Sequence, residues 1–213
     1  MVRAVVRDTA MAEATRLILA SGSAARRAML AAADLKFDVV PAAIDEEAIK
    51  ALMISESDCV EAADLAVTLA VEKAMVVARA NPDAFVIGAD QVLALGRKFF
   101  SKAATPGEAR NHLEMLRGRA HELVSAVAIA RGNDVLWHTQ DAAKLTMRRF
   151  SDEFLGSYLE RCGKNVLQAV GCYELEGLGV HLFEHIDGDY FTILGMPLLP
   201  LLAKLRELDV VTA

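Results

Sequence analysis

The sequence predicts an α/β fold, and three observations predict it. Segments of strand and helix character alternate towards both ends of the chain, while two β segments joined by a turn, at about 121–130 and 135–147, lie in the middle. Apolar residues make up 54% and charged residues 24% of 213 positions, enough for one sizeable core or two closely packed lobes. The first clear unit, residues 16–33, already reads strand, loop, helix: an apolar run Leu17 to Ala20, three small residues Ser21-Gly22-Ser23, then an alanine-rich segment opened by Arg26 and Arg27.

Composition excludes several classes. A net charge of −6 argues against broad electrostatic binding to nucleic acid or to an anionic membrane, so clustered cations point to a small anionic ligand. Cys59, Cys162 and Cys172 are far apart and lack metal-ligand spacing, as expected of reduced thiols in the cytoplasm. No apolar run approaches the roughly 18 residues of a membrane span, and the N-terminus lacks the apolar core of a signal peptide. Residues 1–14 read as a loosely held extension, with Met11 a second candidate start, and 15–213 as one domain.

Each element follows in order. At 16–33 the free N–H groups of the helix start face the small-residue loop, where they, the Ser21 and Ser23 hydroxyls, Arg26 and Arg27 form a candidate phosphate site. A plain strand-to-helix turn with two solvated arginines is the alternative. Residues 36–40 read as a short strand. Asp45 and Glu46 follow in an apparent loop, either a solvated tip or a divalent-ion site.

Ser57 is a good N-cap, predicting a helix to about residue 80, before Asn81-Pro82. Leu65, Leu69, Val76 and Val77 mark its apolar face, and the helical period puts Lys73 on that face, to snorkel to water or to meet a phosphate. Residues 85–95 form an apolar strand pattern interrupted by Asp90. A carboxylate there is costly unless it is paired, binds metal or opens on a cleft, which makes Asp90 the best single functional candidate beside the competing account of a structural salt bridge. A hairpin turning at Gly96-Arg97-Lys98 brings Lys102 back towards it.

Thr105-Pro106-Gly107-Glu108 is a capping box for a scaffold helix that ends before Gly118. His112, His121 and His138 share no metal spacing and read as structural or surface residues. Ser151 caps a helix that stops near Gly163. In 171–179, Gly171, Gly177 and Gly179 suggest backbone passing close to something, with Glu174 and Glu176 placed to read a base or bind metal; a surface turn looks similar. A strand at 180–186, a turn at Asp187-Gly188 and a final helix presenting Leu198, Leu201, Leu202, Leu205 and Leu208 complete the chain.

In their order and spacing, several short motifs resemble the Maf family of nucleoside triphosphate pyrophosphatases. They are S-G-S-x-x-R-R from Ser21, I-D-E from Ile44, E-K-A from Glu72, G-A-D-Q-V from Gly88, Lys102, G-x-Y-x-x-E-G-L-G from Gly171, I-D-G-D-Y from Ile186 and G-M-P-L from Gly195. The resemblance implies an elongated, strongly bent mixed sheet with flanking helices and two lobes around a nucleotide cleft, often as a homodimer. It also implies a divalent metal, Mg2+ or Mn2+, and cleavage between the α- and β-phosphates of a nucleoside triphosphate.

Carried onto this chain, the resemblance makes Asp90, Lys73 and Lys102 catalytic, with Glu46 and Asp90 at the metal. Ser21, Ser23, Arg26 and Arg27 would bind substrate. Ala24 and Ala103 stand where the family usually has proline, which loosens two loops without removing a charge. Ala25 stands where many members carry Arg or an aromatic residue, which affects base selection. Gln91 with Glu176 looks like the branch acting on 7-methyl-GTP, since an ionised carboxylate suits guanine's paired donors and the positive charge of the methylated ring. A non-catalytic nucleotide-binding regulator of cell division is the alternative function.

Overall fold

In the computed structural model, which describes residues 15–56 and 59–211, the spine of the sheet is β3, Phe85–Leu95. One of its edges pairs antiparallel with β5, Ala120–Arg131, from Val86 to Ala94. The other edge is shared. β1, Leu17–Leu19, runs parallel to Phe85–Ile87, while β4, Lys98–Phe100, returns antiparallel to Leu93–Leu95 across the expected hairpin. β2, Asp38–Val39, lies outside β1, and β6, Asp134–Met147, and β7, Phe183–Asp187, continue beyond β5 to complete seven strands in one mixed sheet. Between β1 and β4, residues 88–92 of β3 therefore have no strand neighbour on that edge among the described residues, and the cleft opens at this gap.

The period of two along β3 sorts its side chains between the faces. Val86 and Val92 join the core under α3, Ala62–Ala80, whereas Phe85, Ile87 and Ala89 pack with α1, Ala24–Ala32, and α7, Leu198–Glu207. Leu93 and Leu95 enter a separate core with α4, Pro106–Leu116, and α5, Asp152–Cys162. A polar row set by register, Gln91 opposite Ser125 and Ser125 opposite Asp141, crosses the sheet between those last two cores. The α/β class is the expected one, and two apolar cores parted by a polar row make two lobes on one face.

The caps on α4 and α5 form as predicted: Thr105 accepts from the Glu108 N–H at 3.2 Å and Ser151 from the Phe154 N–H at 3.2 Å. Three boundaries differ from the sequence prediction. The long helix starts at Ala62, and Ser57, its expected cap, lies outside the described residues, as does the 1–14 extension. Glu46 does not sit in a loop: it opens α2, Glu46–Glu56, capped by Asp45, whose carboxylate accepts from the Ala48 N–H at 2.9 Å. No residue of α2 is fully buried, and only a narrow pair, Ile49 and Met53 one turn apart, packs against the α3 core, a weak signal for periodicity to detect. The strand expected from residue 180 begins at Phe183, because Leu178–Leu182 winds into a 3-10 turn first, and a short helix, α6, Tyr190–Ile193, follows it. Cys162 and Cys172 form no disulfide. Among the described residues, no helix is long and apolar enough to cross a membrane.

Candidate active site

Gly88 begins the site. A Cβ there would lie 2.1 Å from the Ala70 carbonyl oxygen and 2.5 Å from the Ala74 nitrogen, so α3 lies against β3 at a distance only glycine permits. Two residues on, and on the same face, is Asp90. Between Ala70 and Ala74 on the helix is Lys73. Close packing at Gly88 thus delivers the ammonium to the carboxylate, and Lys73 Nζ donates to Asp90 Oδ1 with both side chains nearly buried, 10% and 8% exposed. Glu46, at the start of α2, puts Oε1 2.8 Å from the same ammonium. Burial pushes the Glu46 carboxyl up, but its hydrogen bond to Lys73, with Lys50 and Lys102 nearby, overrides this and leaves it below the usual glutamate range.

Arg26 closes the sheet gap. With no strand to pair the Ala89 carbonyl, Arg26 Nη1 donates to it at 2.8 Å and to Ser21 Oγ at 3.1 Å, while Nε donates to the Gly195 carbonyl at 2.8 Å. Burial pulls this guanidinium below its ordinary range, against the attraction of Asp90 and Glu46. Gly195, at φ +105°, fits over the guanidinium where a Cβ would sit 3.4 Å from Nε. The two serine hydroxyls also serve the fold: Ser23 Oγ caps α1 by accepting from the Arg26 N–H at 3.4 Å, and Ser21 Oγ accepts from the Ser23 N–H at 3.3 Å. The loop still faces the cleft, with Ala25 beside it, but Arg27 is exposed and does not line the cleft.

On the opposite face of β3, Gln91 has a fixed polarity. Its Nε2 lies 3.1 Å from the Thr192 carbonyl oxygen, 3.0 Å from that of Ile193 and 3.0 Å from Ser125 Oγ, which itself donates to the Thr192 carbonyl at 2.7 Å. Carbonyls only accept, so the amide nitrogen must face them. Both N–H groups are consumed by the fold, and Oε1 is what Gln91 can offer a ligand. Glu176 lines the same cleft from the 174–177 turn, exposed, and Lys102 lines it from the loop after β4, also exposed.

The cleft encloses about 830 Å3, within the range of small-molecule sites. The structure brings Ser21, Ser23, Arg26, Glu46, Lys73, Asp90, Gln91, Lys102 and Glu176 to one cavity. Lys50, which the sequence reading missed, lines it too; the Asp45 cap, with Lys50 four residues after Glu46, was the available signal. Ser125 was missed for lack of any local motif. Glu46 Oε1 and Asp90 Oδ1 are both taken up by the Lys73 ammonium, so the donors left for a metal are the second oxygens of these two carboxylates; among the described residues no group of three or more His, Cys, Asp or Glu could hold an ion alone. Two carboxylates suit a hard divalent cation that takes its remaining ligands from water and phosphate.

Residues 16–208 match the family described as Maf-like protein. The nucleoside triphosphate pyrophosphatase of Granulibacter bethesdensis is 48% identical over 197 residues, 92% of this chain and 99% of that protein. The 7-methyl-GTP pyrophosphatase of Rhizobium meliloti is 47% identical over 197 residues, 92% of this chain and 98% of that one. The 7-methyl-GTP pyrophosphatase of Mesorhizobium japonicum is 46% identical over 196 residues, with 92% and 98% covered.

Proposed function

The chain belongs to the Maf family, and from that premise we propose that its cleft hydrolyses the α–β phosphate bond of a nucleoside triphosphate, with 7-methyl-GTP preferred, to the monophosphate and pyrophosphate. The observation that carries this is Asp90: a buried acid in a mostly apolar strand, at the unpaired gap of the sheet, with a buried ammonium beside it and a nucleotide-sized cleft before it. Such an arrangement suits proton abstraction from water next to phosphates.

In the proposed reaction the triphosphate lies along the cationic wall of Lys73 and Lys102. Asp90 takes a proton from water as the water oxygen bonds to the α-phosphorus. The bond from that phosphorus to the bridging oxygen breaks, and pyrophosphate leaves with the electron pair. Lys73 and Lys102 spread the charge that accumulates on the leaving group. Glu46 and Asp90 would hold Mg2+ or Mn2+, which when bound supplies further neutralisation of the phosphate oxygens.

Base choice rests on Gln91 Oε1 and the Glu176 carboxylate. Both are acceptors, and guanine presents two donors side by side, N1–H and the 2-amino group; methylation at N7 adds a positive charge that a carboxylate favours. The small Ala25 leaves room at the loop. Reduced cysteines and the absence of any spanning helix among the described residues are consistent with a cytoplasmic enzyme. The test is to incubate the protein with 7-methyl-GTP, GTP, UTP and dTTP and a divalent metal and to measure pyrophosphate. Release is expected, fastest from 7-methyl-GTP; no release from any nucleotide would remove the enzymatic assignment, and faster release from UTP would remove the base assignment.

A further inference from the structure

Lys50 stands on the second turn of α2 with its side chain only 16% exposed, in the wall of the cleft. It follows Glu46 by four positions, so the two share a helix face about one 5.4 Å turn apart. Glu46 meets Lys73 beside Asp90, and Lys50 extends that row of charge to the loop carrying Lys102, where its Nζ lies 3.4 Å from Ser101 Oγ. Its charge partner is Glu47, with Oε1 at 3.0 Å, and Ser101 Oγ donates to the same oxygen at 2.9 Å.

The partner is the informative part. Lys73 is fixed between two carboxylates, one of them buried, and cannot be released cheaply. Glu47 is 69% exposed, so its hold on Lys50 is weak and screened, and a multiply charged phosphate can replace it. The Ser101–Glu47 hydrogen bond ties α2 to the β4–α4 loop without the lysine.

We propose that Lys50 is a further phosphate-binding residue, which leaves Glu47 to engage the terminal phosphates of the bound nucleotide. This rests on the pyrophosphatase reading above for the orientation of the substrate. It assigns Lys73 and Lys50 to successive stations along one triphosphate. Glu47 then acts as a placeholder that keeps the ammonium in the cleft until the anion arrives.

The experiment titrates inorganic tripolyphosphate and guanosine monophosphate, each with magnesium, into the unmodified protein and into Lys50→Met, Lys50→Arg and Glu47→Gln, by calorimetry. Lys50→Met is expected to weaken tripolyphosphate binding about tenfold, the scale of one charged hydrogen bond, and to leave monophosphate binding unchanged. Lys50→Arg should stay within about threefold of the unmodified protein, and Glu47→Gln should bind tripolyphosphate at least as tightly. In turnover, Lys50→Met should raise KM about tenfold for the triphosphate with kcat little changed. The proposal is overturned if Lys50→Met binds tripolyphosphate normally, or if the Arg and Met variants lose affinity alike. The titration needs no catalysis, so a protein that releases no pyrophosphate would refute the pyrophosphatase reading while the role of Lys50 was still decided.

Discussion

Asp90, Gln91 and Glu176 divide the work of the site by the chemistry of single atoms. Replacing Asp90 by Asn keeps an oxygen for Lys73, and Glu46 still holds the ammonium from the other side, so the fold should survive. The amide cannot take a proton, and turnover should fall by roughly 100-fold or more. Far-UV circular dichroism unchanged beside a collapsed kcat is the expected pair of results; near-normal turnover would make Asp90 a structural residue. Glu176→Gln presents an N–H where an acceptor is needed, and should reduce the preference for 7-methyl-GTP over UTP by about 1–3 kcal/mol. The ratio of kcat/KM values reads this directly, and an unchanged ratio would transfer base reading elsewhere. Gln91 cannot compensate by rotating its amide, because two backbone carbonyls hold Nε2 in place.

At the scale of elements, the site depends on how closely α3 approaches β3. Gly88→Ala puts a methyl group into the Ala70 carbonyl, so the helix must move away, at a cost of about 1–3 kcal/mol for an overpacked contact. The same movement draws Lys73 from Asp90. Loss of stability and of activity together is therefore expected, read from thermal melts and pyrophosphate release on one preparation; a variant that melts and turns over normally would show that the contact is slack. α2 contributes differently. It carries Glu46, Glu47 and Lys50 to the cleft with no buried residue of its own, held by Ile49 and Met53 against the edge of the α3 core and by its polar contacts.

At the scale of the molecule, stability should depend on pH through His121, 2% exposed, on β5. Its Nε2 lies 2.7 Å from the Tyr173 hydroxyl, which backs the 171–179 segment against the sheet. Burial pulls its pKa from 6.5 down to about 4, against a smaller upward pull from the Arg119 backbone. Between those values the unfolded chain binds the proton and the folded one does not. The stabilisation is thus fully present above pH 6.5 and lost as pH falls towards 4, on the order of 3 kcal/mol. Partly exposed His112 is shifted the same way, also by burial. His121→Gln should flatten the fall of melting temperature across this window; a slope as steep as that of the unmodified protein would place the titration elsewhere.

The sequence by itself determined the α/β class, the caps of α4 and α5, the hairpin before Lys102 and the unusual position of Asp90, since each follows from residue type and spacing within one element. It also supplied most of the residues that meet in the cleft, because their motifs recur in a fixed order. Three things required the tertiary structure. The gap in the edge of β3 exists because β1 and β4 are short and pair with opposite ends of one strand, which no local pattern records. The polarity of Gln91 is set by carbonyls 101 and 102 residues away in sequence. Arg26, expected to bind phosphate, lines the cleft but also gives two of its nitrogens to the Ala89 and Gly195 carbonyls, because an unpaired strand oxygen buried beside it needs a donor that solvent cannot supply.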